Sequence, residues 1–325
     1  MSPRRSGLAA CVGAYLLWGL FPLYWPLLEP AAPVEILAHR IVWSLLFLVA
    51  ALAATVGFRW LATLGRRRAG MLALAAVLVT VNWGTFIYGV NSGHVVETSL
   101  GYFINPLVTV ALAVTVLHER LRPHQRLAVA IGTVAVVVLT IDYGHLPWIA
   151  LTLAFSFGSY GLVKKRAGVD GTQSLMVETA FLVIPALAYL LWLGAAERGT
   201  FTTEGTGHAA LLVSAGVTTA VPLVLFGIAA IRVPLATIGM LQYIAPILQF
   251  LIGVLVYDES MPLSRLAGFA LVWVALAVFT VDAIRAARTG MDAGEPTGED
   301  WLTIPDDRRS DDPGRALRVR HGRAG

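Results

Sequence analysis

Three ionisable positions stand inside stretches that are otherwise apolar: Arg40 with His39 beside it, Glu97, and Glu178. A charge in hydrocarbon is expensive, so such groups mark a solute path, a proton relay or a fixed ion pair. By helical rise Arg40 lies about two turns, and Glu97 about one turn, from the same end of their helices. A charge pair between them is therefore feasible, and it competes on even terms with a role in binding solute or carrying protons. His39 reads as a packed or hydrogen-bonded residue rather than a proton carrier.

Glu97 opens the run Glu97-Thr98-Ser99-Leu100-Gly101-Tyr102-Phe103-Ile104-Asn105-Pro106, which is echoed at Gln242-Tyr243-Ile244-Ala245-Pro246. Pro106 has no N–H, so the carbonyl of Tyr102 loses its helical partner, and Pro246 does the same to Gln242. Inside a membrane such helix breaks survive only against protein or a wet cavity. The pair predicts the wall of a central cavity, a packing kink being the alternative. Glu97, Gly101 and Asn105 recur at every fourth residue and so line one stripe. Asn82, Trp83, Trp18, Tyr24 and Tyr160 are candidates to add amide and aromatic surface. Tyr and Trp also gather at lipid interfaces. The lysines, Lys164 and Lys165, sit at a predicted helix end and read as topological anchors.

These residues need helices to hold them, and the composition supplies little else. Of the 325 residues 57% are apolar and 14% charged, which excludes a large water-soluble core. The net charge of +4 would suggest nucleic acid only if the arginines clustered on a face. They lie instead between apolar runs, the pattern that sets membrane orientation, so no nucleic-acid partner is expected. Cys11 is the single cysteine and sits in an apolar run, so neither an internal disulfide nor a cysteine metal site is available.

Apolar runs predict transmembrane helices near 8–28, 34–56, 70–91, 95–117, 125–142, 147–165, 173–193, 208–230, 234–257 and 263–285. Arg4 and Arg5 ahead of the first run resemble a signal peptide, but without a convincing cleavage site the run reads as a retained first helix. Alternate loops hold most of the cations: Arg4 and Arg5; Arg59 and Arg66 to Arg68; Arg120, Arg122 and Arg126; Lys164 to Arg166; Arg232; Arg285 and Arg288. The other loops offer Arg198 and Arg265. Both termini are therefore expected in the cytoplasm, with an even number of spans.

Residues 104–142 align without a gap onto 244–282, matching Pro106 with Pro246, Glu119 with Glu259, Thr140 with Thr280 and Asp142 with Asp282. An odd number of helices separates equivalent helices, so the copies point in opposite directions. The expectation is an all-α membrane protein of ten helices in two inverted five-helix repeats, 8–142 and 147–285, an architecture many secondary transporters share. Glu178 falls near the repeat counterpart of Arg40. Residues 1–7 precede the first repeat, and 286–325 read as a disordered cytoplasmic tail. No phosphate loop, His-Glu-x-x-His or Gly-x-Ser-x-Gly motif is present, so neither an enzyme nor an ATP-driven pump is expected, and no cofactor is called for.

Several stretches are similar to the RarD branch of the EamA family, in the drug/metabolite transporter superfamily. They are Ala14-Tyr15-Leu16-Leu17-Trp18-Gly19, Glu35 to Ser44, Asn82-Trp83, Glu97 to Leu107, Tyr160 to Lys165, Glu178-Thr179, Gln242 to Pro246 and Trp273 to Ala277. The resemblance covers roughly residues 8–285. It implies a ten-helix protein of the bacterial inner membrane, and the family naming carries a link to chloramphenicol sensitivity. The expected function is secondary transport of a small organic solute, metabolite or drug by alternating access, with the intramembrane carboxylates as candidate proton carriers. Its site would be built from Arg40, Asn82, Trp83, Glu97, Tyr102, Asn105, Glu178, Gln242 and Tyr243. Solute and membrane lipid are the expected partners, and a homodimer stays open. The runner-up is a non-transporting membrane sensor or partner subunit, favoured mainly by the long tail.

Overall fold

The computed structural model describes residues 3–289, apart from 56, 118–120, 170, 231 and 234. Glu119 and Arg120, and the expected tail from residue 290 onward, lie outside the described residues. Residues 1–282 form one unit, and residues 283–325 form a second, of which the described part is the end of the last helix.

Twelve α-helices run through the described residues: α1 Pro3–Gly19, α2 Phe21–Tyr24, α3 Pro33–Thr55, α4 Arg66–Asn91, α5 Val95–Leu117, α6 Pro123–Tyr143, α7 Trp148–Ala167, α8 Gly171–Ala195, α9 Gly205–Ala230, α10 Leu235–Leu241, α11 Ile244–Leu255 and α12 Leu263–Thr289. Length and composition make α3, α4, α5, α6, α8, α9 and α12 sufficient to cross a membrane. Their starts and stops follow local chemistry. Pro33 and Pro123 open α3 and α6, where a missing N–H costs nothing. Gly144 and Gly168 close α6 and α7 with φ of 70° and 59°, a conformation that a side chain disfavours.

Two of the expected helices are interrupted. Over 8–28 the chain bends by 45° after Gly19 and continues as α2 and a 3₁₀ turn, Trp25–Leu28, into which Pro22 and Pro26 are built. Over 234–257 it breaks at Gln242 and Tyr243, and Pro246 then sits harmlessly in the first turn of α11. The break expected at Pro106 is different, because α5 runs on unbroken through the proline. Only the bond to the Tyr102 carbonyl is lost there. A boundary also differs in the last helix, where α12 continues to Thr289, past the expected start of the tail at 286.

The bundle is knit by α5 against α7, α4 against α7, α3 against both α8 and α9, α1 against α9, and α11 against α5 and α1. Glycine permits the closest of these approaches. A Cβ on Gly216 of α9 would meet the backbone carbon of Trp43 in α3 at 2.5 Å. Two large apolar clusters fill the interior, one around Trp25, Leu28, Ile36, Ile87, Leu153 and Leu212 and another around Leu100, Leu107, Leu139, Ala154 and Phe269. The outside is apolar as well, with Ile184 74% and Leu263 84% exposed. Such a surface suits lipid rather than water.

α6 and α12 run in opposite senses, with Gly268 facing Leu139. At one end Asp142 accepts from Arg265 Nε at 2.9 Å and from Ser264. At the other Asp282 accepts from Arg122 Nε at 2.9 Å, with His124 Nδ1 3.5 Å away. The two aspartates are the residues that the 140-residue offset pairs in sequence.

Candidate functional site

Arg40 is 3% exposed, in the second turn of α3. The bend after Gly19 turns Phe21 and Trp25 toward it, and α4 brings Trp83 across. Its guanidinium carbon lies 3.9 Å from the ring centroid of Trp83, 5.1 Å from that of Trp25 and 5.8 Å from that of Phe21. A desolvated cation–π contact contributes about 2 kcal/mol. Moving an ion out of water costs several kcal/mol even after relaxation, so the rings offset only part of it. Arg40 Nε has no hydrogen-bond partner, and neither has the indole Nε1 of Trp25. Both groups can only donate. Tyr102 and Tyr24 are the phenols within electrostatic reach of the guanidinium. The Tyr102 hydroxyl donates to Asn82 Oδ1 at 3.2 Å, while Asn82 Nδ2 donates to the Leu153 carbonyl at 3.0 Å and to Ser156 Oγ at 3.2 Å. The Tyr24 hydroxyl donates to the Leu211 carbonyl at 2.9 Å. Arg40, Asn82, Trp83 and Tyr102 are thus brought together as one cluster.

Glu97 is not part of it. The feasible pair with Arg40 does not form, because the Glu97 carboxylate accepts from the backbone N–H of Ile149 at 3.0 Å and of Ala150 at 3.4 Å. These are free donors in the first turn of α7, where the helix dipole favours an anion. The rest of the stripe follows Glu97 onto the same helix. A Cβ on Gly101 would meet the Ala150 carbonyl oxygen at 2.8 Å, and Asn105 Oδ1 would lie 3.6 Å from one on Gly158. The stripe is therefore a seam between α5 and α7. Asn105 Oδ1 is buried there without a hydrogen-bond partner.

Glu178, fully buried in α8, sits in a third place. Lys164 Nζ is 3.1 Å from its Oε1, the Tyr160 hydroxyl donates to its Oε2 at 2.9 Å, and Ser174 donates to Oε1. Lys164 Nζ also donates to the Tyr160 oxygen at 2.9 Å. This lysine is a partner in a buried ion pair, not only an anchor. Aromatic contacts link the two charged places: Tyr102 meets Phe157 edge-on at 6.1 Å, and Phe157 lies 6.0 Å from Tyr160. Phe157 was missed in sequence; it lies three residues before Tyr160 on the same helical face.

Gln242 and Tyr243 form the turn between α10 and α11, and Tyr243 reaches Thr280 of α12. That contact holds Tyr243 on α12 rather than in the Arg40 cluster. Glu259, in the loop after α11, accepts from Val96 N–H at 2.9 Å and from Val95 N–H, holding the first turn of α5. Burial pushes its carboxyl above the usual range, against the opposing pull of those N–H groups. At the same end of the bundle Glu35 accepts from Thr200 N–H at 2.7 Å, and Thr200 Oγ1 lies 2.8 Å from His208 Nε2. His39 stacks on Phe201 at 4.8 Å and receives the Trp43 indole N–H at 3.2 Å. Among the described residues no group of three His, Cys, Asp or Glu side chains could hold a metal ion.

Many apolar helices around a buried cation and a buried ion pair describe a multi-pass membrane protein. Comparison with known proteins agrees. The profile of the EamA-like transporter family matches residues 5–141. Protein RarD of Streptomyces exfoliatus is 55% identical over 299 residues, 90% of this chain and 95% of that protein. An uncharacterized transporter of Pseudomonas aeruginosa is 43% identical over 87% of this chain and 96% of its own. A solved crystal structure, 21% identical, has the same fold at a TM-score of 0.56 over 86% of this chain and 98% of that one. The chain belongs to the RarD branch of the EamA family, within the drug/metabolite transporter superfamily. It is a membrane transporter of the drug/metabolite type.

Proposed function

We propose that this transporter is a secondary carrier of a small organic solute, working by alternating access of two inverted five-helix halves, residues 8–142 and 147–285. The observation that carries this reading is the reciprocal pair of salt bridges, Asp142 with Arg265 and Asp282 with Arg122. Equivalent aspartates binding at opposite ends of α6 and α12 are what a two-fold axis in the membrane plane produces. The family profile, ending at residue 141, supports the boundary of the first half. On this reading the protein lies in the bacterial inner membrane with ten spans, the broken α1–α2 and α10–α11 each serving as one. The arginine bias of the loops puts both termini in the cytoplasm and Glu259 outside.

The solute site is the Arg40 cluster, with Asn82, Trp83 and Tyr102, at one end of the aromatic row that leads through Phe157 and Tyr160 to Glu178. Glu178 and Lys164 form the exchangeable ion pair of the inner half, and a proton taken up by Glu178 would release Lys164. Proton coupling through this pair accounts for a buried carboxylate far from the cluster. The test is flux in proteoliposomes containing purified protein, across a panel of metabolites and antibiotics. At least one solute should cross at a rate that an imposed pH gradient changes, and Glu178→Gln should remove the pH response while the protein stays folded. Flux with unaltered pH dependence in that variant would reject the coupling. No flux of any solute under any gradient would reject transport.

A further inference from the structure

Among the described residues no carboxylate pairs with the Arg40 guanidinium. Among the described residues every buried carboxylate is engaged elsewhere: Glu97 on α7, Glu35 on Thr200, Glu178 on Lys164 and Asp282 on Arg122. The less buried Glu259 and Asp142 are held by α5 and Arg265. Nothing in the surrounding cluster accepts from Arg40 Nε or Trp25 Nε1, while Phe21, Trp25 and Trp83 wall the cation with rings. A ring stacked on one face of a guanidinium leaves its in-plane N–H fork open for a planar, two-oxygen acceptor.

Resting on the transporter reading above, we propose that the cargo is a small organic acid with an apolar, flat body, whose carboxylate is gripped by Arg40. The acid's two oxygens lie in the guanidinium plane. Its body lies against Trp83, the half-buried ring nearest the guanidinium, and the Tyr102–Asn82 pair borders the site. A monoanion fits better than a phosphate ester. The cluster holds one positive charge, and the nearest other cation on the aromatic row, Lys164, is already neutralised by Glu178.

The experiment uses the purified full-length chain in detergent micelles and matched ligand pairs of equal shape: phenylacetate with phenylacetamide, 3-phenylpropionate with its amide, and hexanoate with hexanamide. Benzyl phosphate and phenethylammonium complete the set. Binding is read from tryptophan emission, to which Trp83 and Trp25 report directly, and from the melting temperature. At least one carboxylate is expected to bind tenfold or more tightly than its amide, with the aromatic pairs ahead of the aliphatic one. Arg40→Gln should erase that ratio, chiefly through loss of carboxylate affinity. Arg40→Lys, which keeps the charge and loses the fork, should fall between. Equal binding within every wild-type pair, preference for the ammonium or phosphate, or a carboxylate preference that survives in folded Arg40→Gln would each overturn the assignment. The wild-type pairs decide the matter even where Arg40→Gln fails to fold. Carboxylate binding without flux in proteoliposomes would sink transport and keep the anion site. Flux of a neutral or cationic solute, indifferent to Arg40→Lys, would do the reverse.

Discussion

The guanidinium carbon of Arg40 lies 3.9 Å from the ring centroid of Trp83, close enough for the indole to be the cation's main protein partner. Replacing that ring tests how much of the cation's cost it offsets. Trp83→Leu is expected to lower stability by about 2 kcal/mol beyond the packing loss, and Trp83→Phe by about half that, since a phenyl ring is the weaker partner. Unfolding of the two variants in micelles measures the difference. Equal losses would mean that the ring contributes packing only.

Glu97 and Arg40 do not touch, so their substitutions should add. Glu97→Gln removes the charge that binds two N–H groups of α7 and should cost about 1–3 kcal/mol. Combined with Arg40→Gln, the losses should sum to within about 0.5 kcal/mol, as for residues without shared partners. A coupling larger than about 1 kcal/mol in that double-mutant cycle would restore the ion pair that their depths suggest.

The α5–α7 seam has its own test in two glycines. A side chain at Gly101 would run into the Ala150 carbonyl oxygen at 2.8 Å, whereas one at Gly161 meets nothing within 4 Å. Gly101→Val should reduce the folded yield, with a cost at or above ~3 kcal/mol, the upper part of the overpacking range. Gly161→Ala should be neutral or slightly stabilising, because alanine favours the helix by up to about 1 kcal/mol. Size-exclusion profiles of the two variants distinguish these outcomes.

The helical, membrane-embedded class was legible in sequence because apolar run length is a one-dimensional property. Asn82, Trp83, Tyr102 and Arg40 stood out singly, each an amide, aromatic or charge misplaced in an apolar run, but that these four pack together apart from Glu97, Asn105 and Glu178 was not legible. What the sequence withheld was which acid meets which cation. Glu97 and Arg40 have matching depths, but depth leaves the angle about the helix axis open, and Glu97 turns toward the bare N–H groups of α7. The bend after Gly19 was equally hidden. Pro22 and Pro26 are visible, yet whether a proline breaks a helix depends on the neighbours that take up the freed carbonyl, as the unbroken α5 at Pro106 makes plain. Lys164 reads as an anchor because cations at helix ends usually are; its pairing depends on α8 placing Glu178 beside it.

Orientation has a direct readout. Reporter fusions at Arg288 and within 197–204 should read cytoplasm and outside respectively, following the cation bias of alternate loops. Both on one side would remove the even-span topology, and with it the opposed halves.

The loop carboxylate Glu259 gives the fold a pH dependence whose sign follows from its setting. Burial raises its pKa, and the N–H groups of Val96 and Val95, with His94 and Arg265 nearby, oppose that only in part. The folded chain therefore holds this proton more tightly than the unfolded chain does. A group of that kind adds stability that is fully present below its unfolded pKa, about 4.3, and is lost as pH rises through the raised folded value. Glu259→Gln fixes the side chain in a neutral form, still able to accept from one N–H of α5. Melting temperatures of wild type and variant, taken from pH 4 to pH 7.5, should differ by an amount that shifts in the variant's favour as pH rises and levels off once the carboxyl is fully ionised. Subtracting the variant's curve removes the titrations that do not depend on residue 259. A difference that moves the other way would mean that the helix N-terminus of α5 outweighs burial and that Glu259 clamps the loop best as an anion.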